Sequence, residues 1–94
     1  MEIKEKIQNS VQAYGVNTKV IGYEMVCDLI YLMYLEKKKG KKSNMNDFYS
    51  QLATKYNISV LSIGNSLRYA VCTSNEYGRG LNPKTLVQNV LQKL

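Results

Sequence analysis

Asn44-Met45-Asn46-Asp47-Phe48-Tyr49-Ser50-Gln51-Leu52-Ala53-Thr54-Lys55-Tyr56-Asn57-Ile58-Ser59-Val60-Leu61-Ser62-Ile63-Gly64-Asn65-Ser66-Leu67-Arg68-Tyr69-Ala70-Val71-Cys72-Thr73-Ser74 is the stretch that decides the fold. Met45, Phe48, Leu52, Ala53 and Tyr56 fall at helical spacing, and so do Val60, Ile63, Leu67, Ala70 and Val71. Both helix starts are marked. Asn44 with Asp47 three residues on has the form of a capping box, and Ser59 is placed to accept from the first free N–H groups of the second helix. Asn57 suits the left-handed conformation that ends a helix, and Ile58 is expected to be a buried hydrophobe in the turn. Two short helices with such a turn predict a helix-turn-helix over about 44–74. Two core helices without a ligand fit the same periodicity.

If Val60, Ile63, Leu67 and Val71 face inward, then Leu61, Ser62, Asn65, Arg68, Tyr69 and Cys72 face outward. Arginine pairs bidentately with guanine and asparagine with adenine, so Arg68 and Asn65 are the candidate base readers. Gly64 in mid-helix costs roughly 1 kcal/mol against alanine. That points to close approach of another backbone or to relaxed selection.

Before this stretch runs Lys37-Lys38-Lys39-Gly40-Lys41-Lys42-Ser43, expected to end a helix and form a basic loop. Runs of this kind are commonly just solvated; beside a helix-turn-helix, this one is a candidate phosphate contact. Upstream, Tyr23 to Leu35 is apolar almost all round, so a helix from near Gly22 to about Lys38 should be the central element of the core. Its tyrosines are expected to bury their rings and send the hydroxyls to solvent or a carbonyl. Ile3, Ile7, Val11 and Tyr14 form a narrow stripe on a first helix, stopped by Gly15; Val16 to Ile21 is a connector. Downstream, Asn75 to Gly80 reads as a loop. Asn82-Pro83 then opens a last helix whose face is Leu86, Val87, Val90, Leu91 and Leu94, and which must dock on the body or on a second subunit.

The 94 residues suit one domain, 1–94, of all-α class with about five helices. Charge is uneven: residues 1–36 hold three lysines against five acids (3 − 5 = −2), whereas 37–94 hold ten Lys/Arg against Asp47 and Glu76 (10 − 2 = +8). A basic half around the helix pair favours a polyanionic partner, nucleic acid first. Cys27 and Cys72 lie in no metal-binding spacing and are expected to be buried free thiols. With no histidine there is no imidazole base and no His–Cys metal site, and no carboxylate pair stands out. Gly78-x-Gly80 has no strand before it, so it makes a poor phosphate loop. No enzyme, no cofactor and no metal are expected. There is no signal-peptide pattern, and the longest apolar run, Leu29 to Leu35, is far short of the ~20 residues that span a bilayer. The expected location is the cytoplasm, away from membrane.

Gly15-Val16-Asn17-Thr18-Lys19-Val20-Ile21-Gly22-Tyr23-Glu24-Met25-Val26-Cys27-Asp28-Leu29-Ile30 resembles the opening of the DNA-binding effector domain of the sporulation response regulators, the stage zero sporulation protein A family. Phe48 to Asn57 is similar to that family's Leu-Tyr-Pro-x-Ile-Ala-x-x-Phe/Tyr-Asn scanning helix, and Ile63, Leu67, Arg68, Ala70 and Val71 keep the core and one arginine of its recognition helix. The likeness runs from about Val11 to Ser74, with a looser one in the last helix. It implies the fold and a DNA-binding transcriptional regulator whose second helix enters the major groove. It does not imply the family's target sequence, because the contacting Arg, Glu and Arg become Ser62, Gly64 and Asn65. The segment before the last helix is also shorter than the family's.

The expected partner is double-stranded DNA. The expected contacts are Ser59, Ser62, Asn65, Arg68 and Tyr69 on the helix, with Lys37, Lys38, Lys39, Lys41, Lys42 and the N-terminus of the scanning helix on phosphates. No receiver domain precedes the matching stretch, so control is expected to come from abundance, a homodimer, or a heterodimer with a related regulator. The main alternative is a protein-interaction module, a decoy or heterodimer partner of a full-length regulator that has lost specific reading. Non-specific RNA binding through the same basic face is a weaker one.

Overall fold

The computed structural model describes residues 2–40, 44–72 and 83–94, with Cys72 described in its backbone only. Five helices follow in order: α1 (Ile3–Ala13), α2 (Ile21–Lys38), α3 (Met45–Tyr56), α4 (Val60–Cys72) and α5 (Pro83–Gln92). The chain is all-α, as its periodicity predicts. Lys41, Lys42, Ser43, the end of the helix pair at Ser74, the Asn75 to Gly80 loop and the Asn82 cap lie outside the described residues.

The helix stops are written locally. Gly15, at φ 83°, takes the backbone past the end of α1, and its N–H donates to the Gln12 carbonyl at 2.9 Å. Ile7 and Val11 bury the expected stripe, with Ile3 and Tyr14 packed at its edges. In the connector, the Lys19 N–H closes on Asn17 Oδ1 at 2.9 Å. At the start of α3, Asp47 N–H donates to Asn44 Oδ1 at 2.9 Å and Asn44 N–H to Asp47 Oδ2 at 3.4 Å, which is the expected capping box. Asn57 sits at φ 57°, ψ 45°, and Ile58 N–H reaches back to the Ala53 carbonyl at 3.1 Å. Lys37 and Lys38 belong to the last turn of α2, where positive charge favours the helix's negative end, and Lys39 is its C-cap.

α2 is central because its sequence leaves it no polar face to show along most of its length. It packs against all four other helices and buries Gly22, Tyr23, Met25, Val26, Leu29 and Ile30. The Tyr23 ring is inside, and its hydroxyl accepts from Gln12 Nε2 at 3.0 Å rather than meeting a carbonyl. Cys27 is half-buried, not fully buried as expected; burial is still the largest influence on its thiol and pushes the pKa up to about 11. Asp28 ties α3 to α2: Lys55 Nζ lies 2.8 Å from Asp28 Oδ2, and the Tyr56 hydroxyl donates to the same oxygen. α5 docks on the body of the chain through buried Leu86, Val87, Val90 and Leu91, contacting α1, α2 and α4.

α4 crosses the start of α2 at close range. A β-carbon at Gly22 would stand 2.3 Å from the Ser66 carbonyl oxygen and 2.7 Å from Ala70 Cβ. This contact settles which side of α4 is the back: Ile63, Leu67, Ala70 and Val71 are fully buried. Two inward assignments need correction. Val60 is 37% exposed and Ile58 is 38% exposed. Periodicity places a residue on a face but does not say how far along that face a neighbouring helix extends, and on α4 the covered part starts at Ile63.

Candidate nucleic-acid interface

With its back on α2, α4 turns Leu61, Asn65, Arg68 and Tyr69 to the outside, all of them exposed. At 1.5 Å rise per residue the stripe from Leu61 to Tyr69 is about 12 Å long, close to the width of a B-form major groove. Arg68 is the only charged residue of the helix. The side chain of Cys72, expected from the sequence to face outward, lies outside the described residues.

Ser59 and Ser62 stand at the head of this face with their polar groups turned on each other. Ser62 N–H donates to Ser59 Oγ at 3.1 Å, and the Ser59 hydroxyl donates to Ser62 Oγ at 3.0 Å. Ser59 is exposed and Ser62 half-buried, so their first task is to cap α4, as the sequence predicts for Ser59.

A residue absent from the sequence-derived site joins it here. Tyr49 of α3 lies half-buried under α4: a β-carbon at Gly64 would be 3.7 Å from Tyr49 Cε2. Burial raises the pKa of the Tyr49 hydroxyl, and the nearby positive charge of Arg68 partly offsets that rise. The phenol is therefore neutral near pH 7 and lies under α4 beside Gly64. The signal was available, since Tyr49 follows Met45 by four residues and precedes Ala53 by four on one side of α3.

Gly64 also resolves one of the sequence's open choices. A separation of 3.7 Å is ordinary contact, so no backbone approach demands glycine there. Gly64→Ala is expected to raise stability by up to about 1 kcal/mol through helix propensity alone. Thermal unfolding checks it; a lower melting temperature would mean that the α3–α4 contact is tighter than this geometry allows.

The lysines occupy a different element from the α4 stripe. Lys37, Lys38 and Lys39 are exposed at the end of α2, and Lys38 Nζ lies 5.5 Å from the centroid of the Tyr34 ring one turn earlier. Because Asp28 holds the end of α3 beside the middle of α2, α3 doubles back along α2. The lysines thus sit at the start of α3, about 18 Å of helix away from the α3–α4 turn. Gly64, one turn before Arg68 on α4, lies over Tyr49 in the half of α3 nearer to them. The N-terminus of α3 itself carries the Asp47 carboxylate in its capping box. That negative charge opposes an anion at the same place.

Among the described residues no helix is long and apolar enough to cross a membrane, and no group of three His, Cys, Asp or Glu could hold a metal ion. No protein-family model matches the chain, and no match was found among curated proteins or solved structures.

Proposed function

We propose that this chain is a DNA-binding transcriptional regulator of the cytoplasm. In this reading α3 and α4 act as a helix-turn-helix, in a relative of the sporulation effector domain with an altered target. The observation that carries the reading is the outward face of α4, where Asn65 and Arg68 stand exposed on a helix whose back is fully buried. A helix anchored on one side and polar at its exposed centre presents side chains to a groove without unfolding anything. Arg68 takes guanine and Asn65 takes adenine on this reading. Lys37, Lys38, Lys39, Lys41 and Lys42 supply the phosphate contacts, in the basic half of the chain. The absence of histidine and the raised pKa of the Cys27 thiol support a binding role over an enzymatic one.

The test is fluorescence-polarisation binding to pooled random duplexes, with selection and sequencing of what is retained. Changing Lys38, Lys41 and Lys42 together to glutamine is expected to weaken binding to all duplexes alike. It should also flatten the slope of log K against log salt by roughly 1–3 units. Arg68→Ala is expected to cost about 1–3 kcal/mol on the preferred sequence and to relax choice at one base position. If the triple change left both affinity and slope untouched, the lysines would be solvated charges. The alternative, a protein-interaction module, draws on one observation: Leu61 is 75% exposed on a helix with a single charge. Absence of any duplex binding at low salt would put that alternative first.

A further inference from the structure

We infer that Leu61 reads the C5-methyl group of a pyrimidine, thymine above all, so that the preferred duplex carries a methylated base next to the bases read by Asn65 and Arg68. The inference rests on the DNA-binding reading and names what it leaves open, the apolar part of the target. Leu61 is the most exposed large hydrophobe among the described residues, at 75%, and it is not scattered. Ile58 and Val60, at 38% and 37%, are exposed too, so the turn and the first turn of α4 carry three exposed apolar side chains. The first residues of a recognition helix are the ones that reach base edges. On the major-groove edge the pyrimidine methyl is the apolar feature, and it distinguishes thymine from every unmethylated base.

The geometry of the helix orders the contacts. Asn65 follows Leu61 by four residues and Arg68 by seven, placing the three on one stripe about 10 Å long. At about 3.4 Å per base step along a strand, that covers roughly three steps. The face therefore spells a methyl contact, an adenine contact and a guanine contact in succession. Arg68 is the only charge on α4, so discrimination there falls to hydrogen bonds and apolar contact rather than to charge.

The test begins with the full chain and a random duplex pool, to establish that duplex is bound. The preferred duplex is then resynthesised with deoxyuridine replacing thymine at one position at a time, which deletes only the methyl group. Binding is expected to fall about fourfold at one position, the value of one methyl-sized apolar group taken out of water. Leu61→Ala should weaken binding to the parent duplex by a similar factor and be indifferent to the same deoxyuridine. Its melting temperature should match the parent protein's, since the side chain is exposed. Placing 5-methylcytosine for cytosine distinguishes the two sources of a methyl; a gain there with no thymine effect assigns the contact to methylated cytosine. If the protein binds duplex but no methyl matters, or if Leu61→Ala keeps the full methyl sensitivity, the inference is overturned and the DNA-binding reading stands. If no duplex is bound at all, both fall, and exposed Leu61 points to a protein partner instead.

Discussion

Gly22→Ala is expected to destabilise the protein by about 3 kcal/mol, the upper end of what overpacking by one methyl group costs. Helix propensity alone predicts the reverse, a gain of up to about 1 kcal/mol for alanine inside α2. The contact decides the sign. The new β-carbon would lie 2.3 Å from the Ser66 carbonyl oxygen and 2.7 Å from Ala70 Cβ, and a backbone atom has no rotamer by which to move aside. α4 must then slide or tilt on α2, loosening the buried set of Ile63, Leu67, Ala70 and Val71 behind the exposed stripe. In a domain of this size each kcal/mol is worth roughly 4–8 °C, so the melting temperature should drop by about 12–24 °C. Gly64→Ala is the internal control, being the same change in a helix with room for it. Equal behaviour of the two variants in thermal unfolding would show that the α2–α4 crossing is wider than described. Because the crossing aims α4, Gly22→Ala protein that remains folded at low temperature should also lose affinity for any duplex the parent binds.

Leu67→Ala is expected to cost about 2–5 kcal/mol, the range for truncating a fully buried leucine. Leu67 is 0% exposed and lies at the centre of the back of α4, between Ile63 and Val71. Leu61 carries the same side chain six residues earlier on the other side of the helix, at 75% exposed, and its truncation should change stability by less than about 0.5 kcal/mol. Urea or thermal unfolding of the two variants reads the register of α4 directly. If Leu67→Ala melted with the parent while Leu61→Ala collapsed, the helix would be rotated by about a third of a turn. The outward set Asn65, Arg68 and Tyr69 would then be the wrong face. If both proved neutral, α4 would contribute little to the core, against its packing on α2, α3 and α5.

The local punctuation of this chain was legible in its residues. Gly15 ends α1, Asn44 and Asp47 open α3, Asn57 ends it, Ser59 caps α4 and Pro83 starts α5 as described, because each depends on backbone chemistry within a few residues. The run from Tyr23, apolar almost all round, likewise determined the centre of the fold, since such a helix is stable only when covered on several sides. Periodicity also named the outward residues Leu61, Asn65, Arg68 and Tyr69. Other features depend on how far one helix reaches along another, and a one-dimensional pattern carries no such length. Val60 and Ile58 stay exposed because coverage of α4 begins only at Ile63, and Cys27 is half-buried although its neighbours Met25, Val26 and Leu29 are inside. The two glycines make the point most sharply. Both stand inside helices and look alike in sequence, yet Gly22 is required by a carbonyl and a methyl group of α4, and Gly64 faces an aromatic edge with space to spare. Only the crossing of α2 and α4 separates them, because the clearance at a helix crossing is set by residues more than forty positions apart that meet only after folding.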